Sequence, residues 1–161
     1  MFSFRERKKA LDFQPYVRQL CDLTAPNLPR AEGELERTEN RYNRSVPTIL
    51  GPWQDERPIM DECLIAITSD MSDHGFGLLL TQPFRAEKLV VGYWTSRKRM
   101  PRPWFFVGDL RRNRYIGGGF WKIGIQLTEF ANTNHWAKLA ELEPLAEKLL
   151  PPAVEPVLIA T

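Results

Sequence analysis

A short polar stretch that begins at Asp70 has residue types suited to holding a ligand. Asp70 supplies a carboxylate that accepts hydrogen bonds, and the hydroxyl of Ser72 both donates and accepts them. Gly75 has no Cβ and therefore permits a positive φ in a tight turn. Asp and Ser side chains also fold back onto backbone amides, so a turn without a ligand is the alternative interpretation. Apolar runs at 63–67 and 76–80 flank the stretch, which predicts that it joins two adjacent strands.

Three arginines lie upstream of this stretch, directly before another strand-like run: Arg37, Arg41 and Arg44. A guanidinium presents a planar fork of N–H donors that binds phosphate oxygens in pairs and stacks on a base. The spacing of Arg37 and Arg41 also suits exposed helix pairs with neighbouring glutamates, and Arg44 could instead pair with Asp61 or Asp109. The arginines therefore indicate either an anion-binding arm or an exposed charged segment.

The two stretches together resemble the signature of the PilZ domain, a small β-barrel family best known for binding cyclic di-GMP. That signature is R-x-x-x-R before the first strand and [D/N]-x-S-x-x-G between two later strands. Residues 70–75 match the second part literally, and Arg37 and Arg41 match the first. Arg44 holds the place against the first strand where the family's second arginine usually lies, and Asn40 stands four residues before it. Either Arg37 and Arg41 are the working pair, or Arg41 and Arg44 share the task in a shifted register.

The resemblance implies a non-catalytic receptor domain that binds cyclic di-GMP and relays the binding to a protein partner. By this resemblance Asp70 and Ser72 receive the polar edges of a guanine, Gly75 keeps the turn tight, and the three arginines bind the ligand from a flexible arm. Ordering that arm on binding would give a partner a structural change to sense. Two other classes stay open. One is a PilZ-like protein-interaction module that does not bind nucleotide, favoured by Asn40, and the other is an OB-like binder of single-stranded nucleic acid.

The remaining pattern predicts a mainly β fold, a six-stranded antiparallel β-barrel of the PilZ type (a split barrel) with short N-terminal and C-terminal helices. Apolar and β-branched runs recur with Gly and Pro between them, as is typical of barrels and sandwiches. The last two strands look like the family's closing strand pair. Gly117–Gly119 predicts a hairpin turn, and residues 51–58 predict a loop. The predicted strands cover 46–50, 63–69, 76–80, 88–94, 104–110 and 120–127.

The chain divides into four predicted segments: a helical and linker extension over 1–36, the barrel over 37–130, a helix over 131–150 and a tail over 151–161. Pro15 is expected to interrupt the first segment, giving one or two short helices. Asn132–Asn134 supply N-cap candidates for the C-terminal helix, which Pro144 kinks or restarts.

Composition limits the other functions. The chain has 161 residues, of which 43% are hydrophobic and 26% charged, as in a soluble globular domain. The net charge of +2 argues against an indiscriminate polyanion binder, so anion affinity must come from local clusters. Two basic stretches, 97–102 and 111–114, are read as loops. With aromatic residues nearby, they are the only support for the nucleic-acid alternative, which makes nucleic acid an unlikely partner.

Neither a catalytic group nor a metal site is predicted. Two Cys and two His show no metal-ligand spacing, and no pattern assembles a nucleophile, a base and an orienting group. The chain opens into charged residues rather than an apolar signal segment, and no apolar run is long enough to span a bilayer. Cys63 lies in an apolar strand as a small buried thiol, so a reducing cytoplasm is the expected location.

Overall fold

The computed structural model describes residues 4–25 and 41–152, which form a β-barrel with helical segments at both ends. Short 3-10 turns at Met60–Glu62, Ala140–Leu142 and Glu147–Leu149 supplement the regular elements. The helices are α1 (Phe4–Leu23), α2 (Asn132–Leu139) and α3 (Glu143–Ala146). The strands are β1 (Tyr42–Gln54), β2 (Arg57–Pro58), β3 (Leu64–Met71), β4 (Gly75–Leu80), β5 (Lys88–Tyr93), β6 (Trp104–Gly117) and β7 (Phe120–Phe130).

Six antiparallel strands of the described chain close into a barrel in the order β1-β3-β4-β7-β6-β5, because β5 pairs again with β1. The two-residue strand β2 pairs only with the end of β1 and lies outside the barrel. Alternation along each strand sends one set of side chains inward, as β4 does with Phe76 and Leu78. This architecture confirms the predicted six-stranded antiparallel barrel with terminal helices.

The inner core continues from the barrel interior into helix α1. Phe13, Val17 and Leu20 of α1 are buried in the same cluster as Leu78 of β4 and Ile123 of β7. The helix therefore packs its apolar side against the barrel core, as the spacing of these residues along a helix requires.

Pro15 does not divide this segment, contrary to the sequence-based expectation, because α1 is one continuous helix of 20 residues. A proline inside a helix costs about 3 kcal/mol through a lost hydrogen bond and a steric clash. Burial of Phe13 and Val17 on either side of it offsets that cost, since each fully buried apolar side chain contributes about 1.5–3 kcal/mol. The exposed face of the helix carries the proline.

An outer core lies between the outer face of the barrel and the C-terminal helical segment. Ile49 of β1, Val90 of β5 and Val107 of β6 are buried there together with Leu139 and Leu142. The segment is built from α2, α3 and two 3-10 turns, so its backbone is less regular than a single helix.

The N-cap expected from Asn132–Asn134 is absent from this segment, because residue Ala131 occupies the N-cap position of α2 without a side-chain hydrogen bond. Asn132 instead ties α2 to the barrel. Its Oδ1 accepts from the backbone N–H of Phe105 at 2.8 Å, and its Nδ2 donates to the carbonyl of Pro103 at 2.9 Å. The side chain serves tertiary attachment in place of capping.

Strands β1 and β6 run well past their predicted C-terminal ends. The predicted loop at 51–58 is wrong except at residues 55 and 56, because 51–54 continue β1, where Gly51 and Pro52 pair with Val90 and Leu89 of β5, and 57–58 form β2. Strand β6 continues past Leu110 to Gly117, so Arg111, Arg112 and Arg114 lie in a strand rather than a loop. The partner strand holds these polar residues extended.

The turn predicted at Gly117–Gly119 is confirmed. All three glycines have positive φ, at 98°, 64° and 83°, a region that side chains with a Cβ rarely adopt. This turn joins β6 to β7.

Candidate functional site

An open cleft of about 930 Å³ lies over strands β3, β4, β7 and β6. Residues paired across neighbouring strands point to the same face of a sheet. Leu78, the neighbour of Gly77 along β4, is fully buried inside the barrel, so the row that contains Gly77 faces outward. This row crosses the cleft with one residue from each strand: Asp70, Gly77, Gly124 and Arg112.

The middle of that row has no side chains, because Gly77 and Gly124 are paired directly with each other. A Cβ at Gly77 would collide with the carboxylate of Asp70, so a larger residue here would have to displace that side chain. A Cβ at Gly124 would lie 3.4 Å from Cβ of Arg112, which is an ordinary contact. The two glycines form a strip without side chains of its own, called here the glycine floor. The Asp70 carboxylate lies over its Gly77 end, and a planar ring can lie against the backbone at its Gly124 end.

The turn between β3 and β4 is held by the hydroxyl and backbone of Ser72. The backbone N–H of Ser72 donates to the carbonyl of Gly75 at 2.9 Å, and Ser72 Oγ donates to the same carbonyl at 3.2 Å. Ser72 Oγ also accepts from the backbone N–H groups of Gly75 at 3.2 Å and His74 at 3.4 Å. The hydroxyl thus has a structural role, fixing the turn next to the cleft.

Gly75 is required because β4 approaches β7 closely at this position, and not because its backbone has a positive φ. The sequence suggested a positive φ at this position, but the described residues with positive φ do not include it. A Cβ at Gly75 would collide with the carbonyl oxygen of Ile125 on β7. The absent side chain therefore lets β4 pair closely with β7, where Gly75 lies opposite Gln126.

The cleft is strongly cationic although the whole chain is nearly neutral. Among the described residues, its lining includes a single carboxylate, that of Asp70, and five basic side chains: Arg41, Arg111, Arg112, Arg114 and Lys122. Lys122 Nζ lies 3.9 Å from Asp70 Oδ2, and Arg111 Nε donates to Gln126 Oε1 at 2.8 Å. This excess of positive charge favours an anionic ligand.

The thiols lie away from this cleft and are poorly suited to nucleophilic chemistry. Burial raises the pKa of Cys21 to about 11, and it raises the pKa of Cys63 to about 11 as well. At neutral pH almost all of each thiol is protonated, whereas the thiolate is the reactive form. Within residues 4–25 and 41–152, no cluster of His, Cys, Asp and Glu could hold a metal ion, and no helix is long and apolar enough to cross a membrane.

Comparison with known proteins finds similarity among solved structures, while no protein-family model and no curated protein matches the chain. The chain is 16% identical to Bacillus subtilis inhibitor of motility (MotI/DgrA), over 75% of this chain and 57% of that one, with a TM-score of 0.44. It is 14% identical to K. pneumonia MrkH in its apo state, over 75% and 52%, with a TM-score of 0.40. It is 15% identical to the PilZ domain of Escherichia coli YcgR with c-di-GMP, over 71% and 93%, with a TM-score of 0.37.

The barrel is similar in fold to these structures, one of which is a PilZ domain. The chain spans little more than half the length of MotI/DgrA and MrkH, and most of the YcgR PilZ domain. The predicted resemblance to PilZ domains is confirmed at this level. At these identities and TM-scores the likeness concerns the fold and not the roles of individual residues.

The cleft brings together four of the six residues that the sequence singled out. Arg41, Asp70, Ser72 and Gly75 all line it. Arg37 lies outside the described residues, as does Asn40, so the literal arginine pair is represented here by Arg41 alone.

Arg44 points away from the cleft, toward helix α1. Its Nε donates to the carbonyl of Cys21 at 3.2 Å, and its Nη1 donates to the carbonyl of Asn43 at 2.9 Å. Its guanidinium lies 5.2 Å from the ring centroid of Tyr42. Arg44 thus binds carbonyl oxygens, including one in the last turn of α1, rather than Asp61 or Asp109 as the sequence had left open.

The sequence-based site lacked the residues on the other half of the cleft. The sequence places Arg112 and Arg114 in a basic loop and Lys122 and Gly124 in a closing strand, without assigning any of them to a site. Their i, i+2 spacing was the available signal, because it places both members of each pair on one face of a strand. Recognising it required knowing that β6 continues through Arg114.

Proposed function

We propose that the PilZ-like cleft binds cyclic di-GMP without catalysis and that the chain relays this binding to a protein partner. The observation that carries the proposal is the glycine floor, with the carboxylate of Asp70 at one end and the guanidinium of Arg112 at the other. Cyclic di-GMP carries two guanines and two phosphodiesters, so it needs both a flat surface and cations.

A guanine fits the floor because its ring is planar and its Watson–Crick edge carries N–H donors. Gly124 leaves room for the ring against the backbone, and Asp70, whose carboxylate lies over Gly77, is only partly exposed beside it. A carboxylate accepts two parallel hydrogen bonds from such an edge. Lys122, now 3.9 Å from Asp70, would turn from this carboxylate toward phosphate when the guanine arrives.

The basic side chains suit the phosphodiesters. Arg112 and Arg114 project from the same face of β6, and Lys122 lies opposite Arg114 on β7. Arg41 approaches from the segment just before β1. Charge-assisted hydrogen bonds from guanidinium to phosphate are about twice as strong as neutral ones, and guanidinium also stacks on guanine.

Two contacts of α1 support relay from the cleft to another part of the molecule. Gln14 Nε2 lies 3.4 Å from His74 Nδ1 in the β3–β4 turn, and Arg44 donates to the carbonyl of Cys21. A ligand that shifts the turn or recruits Arg44 would alter both contacts. A partner that contacts α1 or the residues before β1 would then bind the two states differently.

A second candidate is a PilZ-like interaction module that does not bind nucleotide. The engagement of Arg44 with α1 favours it, because the arginine nearest the first strand is then committed to the helix. In one of the two basic stretches behind the nucleic-acid alternative, two arginines already have partners within the chain. Arg97 lies 3.3 Å from Glu147 and 4.5 Å from the Trp94 ring, and Arg102 lies 4.6 Å from the Trp136 ring.

The deciding experiment is calorimetric titration of the chain with cyclic di-GMP, with GMP and a short single-stranded oligonucleotide as comparison ligands. We expect saturable binding of cyclic di-GMP alone, weakened at least about tenfold by Asp70→Ala and by Arg41→Ala, since each removes a charged contact of about 1.5–3 kcal/mol. Asp61→Ala and Arg57→Ala are matched controls, because both residues are exposed and lie outside the cleft.

Equal binding by wild type and Asp70→Ala would overturn the assigned site. Absence of any cyclic di-GMP binding would overturn the receptor function in favour of the interaction module. Preferred binding of the oligonucleotide, falling steeply with salt, would favour the nucleic-acid alternative.

A further inference from the structure

The hairpin of β6 and β7 extends beyond the strands that flank it. Strand β5 pairs with β6 only as far as Asp109, and β4 pairs with β7 only as far as Trp121. Residues 111–116 form an unbroken run of exposed positions on β6. Strand β4 thus flanks β7 up to the pair of Tyr115 and Trp121, and residues 116–120 are the part of the hairpin that extends beyond both flanking strands.

The end of this hairpin is apolar. The fractional exposures are 53% for Tyr115, 47% for Ile116 and 47% for Phe120, so three large apolar side chains next to one turn face water. The turn itself, Gly117–Gly119, has no side chains that would shield them. We call Tyr115–Phe120 the hairpin tip. Exposed apolar patches of this kind mark surfaces that contact another molecule or a membrane.

Positive charge lies next to the hairpin tip, on the side of the cleft. Residues 111–122 include Arg111, Arg112, Arg114 and Lys122 and no acidic residue, within a chain whose net charge is only +2. A tip of apolar and aromatic residues next to a group of cations is the composition of segments that enter an anionic lipid surface. Tyr, Trp and other amphipathic residues settle at the headgroup level, and each Lys or Arg near an anionic surface adds roughly 1 kcal/mol.

From this geometry we infer that the hairpin tip inserts into the headgroup region of an anionic membrane. Ile116 and Phe120 enter the lipid, and the basic side chains contact the lipid phosphates. A projecting tip suits a fluid lipid surface, which needs no complementary pocket, whereas a protein partner would have to supply one. Insertion needs no spanning segment, because an interfacial element buries only its apolar end.

Single-stranded nucleic acid fits the tip less well than lipid. Binding by stacking needs open aromatic faces. The rings of Tyr115 and Trp121 instead pack on each other, with centroids 5.3 Å apart, and the Tyr115 hydroxyl accepts from the backbone N–H of Gly119 at 3.1 Å. Ile116 has no ring to offer a base, which leaves the ring of Phe120 as the one exposed stacking surface of the tip.

The test is co-sedimentation of the full chain with vesicles of phosphatidylcholine alone and of phosphatidylcholine with 30% phosphatidylglycerol. We expect binding to the anionic vesicles only, reduced at least about tenfold in Ile116→Ala/Phe120→Ala, since each truncation removes apolar area buried in lipid. Ile65→Ala/Ile67→Ala is the matched control, because these two residues are 42% and 52% exposed on β3, away from the hairpin. Raising the NaCl concentration should weaken binding in proportion to the charge contribution.

The hairpin-tip variant should keep its melting temperature and its affinity for cyclic di-GMP, because neither residue lines the cleft. Equal vesicle binding by wild type and the tip variant would overturn the proposal, as would failure of wild type to bind anionic vesicles. Binding of a single-stranded oligonucleotide that the tip variant loses, without vesicle binding, would overturn it in favour of nucleic acid.

Discussion

The barrel has two outer faces, one covered by helices and one open to solvent. Over β1, β5 and the first half of β6, outward side chains such as Ile49, Val90 and Val107 are apolar and lie buried under the C-terminal helices. Over β3, β4, β7 and the second half of β6 the outer face is open, and it carries the glycines and charged side chains of the cleft together with exposed Ile65 and Ile67. Outward positions add little to the inner core, so their residue types decide whether a face is covered or stays open.

Strand β6 belongs to both faces. Phe105 and Val107 lie in the outer core, whereas Arg112 and Arg114 line the cleft. The pairing of β6 with β7 shifts between Leu110 and Arg112, so that Arg111 is an extra residue there. This bulge keeps Arg112 and Arg114 on the outward face, since one extra residue offsets the alternation of the strand.

Leu139→Ala tests the covered face and should have the largest effect. Leu139 is fully buried between α2 and the barrel. Its truncation should lower the free energy of unfolding by about 2–5 kcal/mol, as is usual for a buried leucine, without changing the cleft. Urea denaturation measures this loss. Ile65→Ala is the control on the other face, and a loss of similar size there would show that the two faces do not differ.

Gly124→Ala tests the open face. A Cβ at Gly124 makes an ordinary contact with Arg112, so the variant should fold with an unchanged melting temperature. The added methyl group would occupy the space of a stacked guanine, and we expect binding of cyclic di-GMP to weaken roughly tenfold, or about 1.4 kcal/mol. Calorimetry checks this, and unchanged affinity would remove the glycine floor from the site.

Arg44→Ala tests whether Arg44 only attaches helix α1 or also contributes to ligand binding. Removing the hydrogen bond to the carbonyl of Cys21 should lower the free energy of unfolding by about 1 kcal/mol. If Arg44 serves only to hold α1, affinity for cyclic di-GMP should change less than twofold. A large loss of affinity would instead show that Arg44 swings into the cleft when ligand binds. Thermal denaturation and calorimetry on the same variant give both answers.

The sequence predicted the barrel well because apolar and β-branched runs, separated by Gly and Pro, mark its strands. It also located one wall of the cleft, since Asp70 and Gly75 belong to a local motif. The opposite wall could not be read in the same way, because Arg112 and Gly124 meet only through the pairing of β6 with β7. Exposed polar residues at Arg111–Arg114 carry no apolar alternation, so a strand there looks like a loop.

Pro15 and Pro52 misled the local interpretation for a shared reason. Proline lacks a backbone N–H and therefore disfavours both helices and strands, yet Pro15 lies inside a helix and Pro52 inside a strand. Tertiary contacts outweigh the local cost, through the burial of Phe13 and Val17 in one case and pairing with β5 in the other. Neither contact is visible in a window of neighbouring residues.

Phe130, the last residue of β7, has a consequence for shortening the chain. Tyr16 of α1 stacks on its ring with centroids 3.7 Å apart, Trp104 lies 6.1 Å away, and the next residue hydrogen-bonds to Phe105 before α2 begins. The first helix and the last helices thus meet the barrel around one aromatic side chain. A fragment trimmed to residues 42–130 would expose these rings to water and should aggregate. The smallest fragment expected to stay monomeric therefore includes both helical ends.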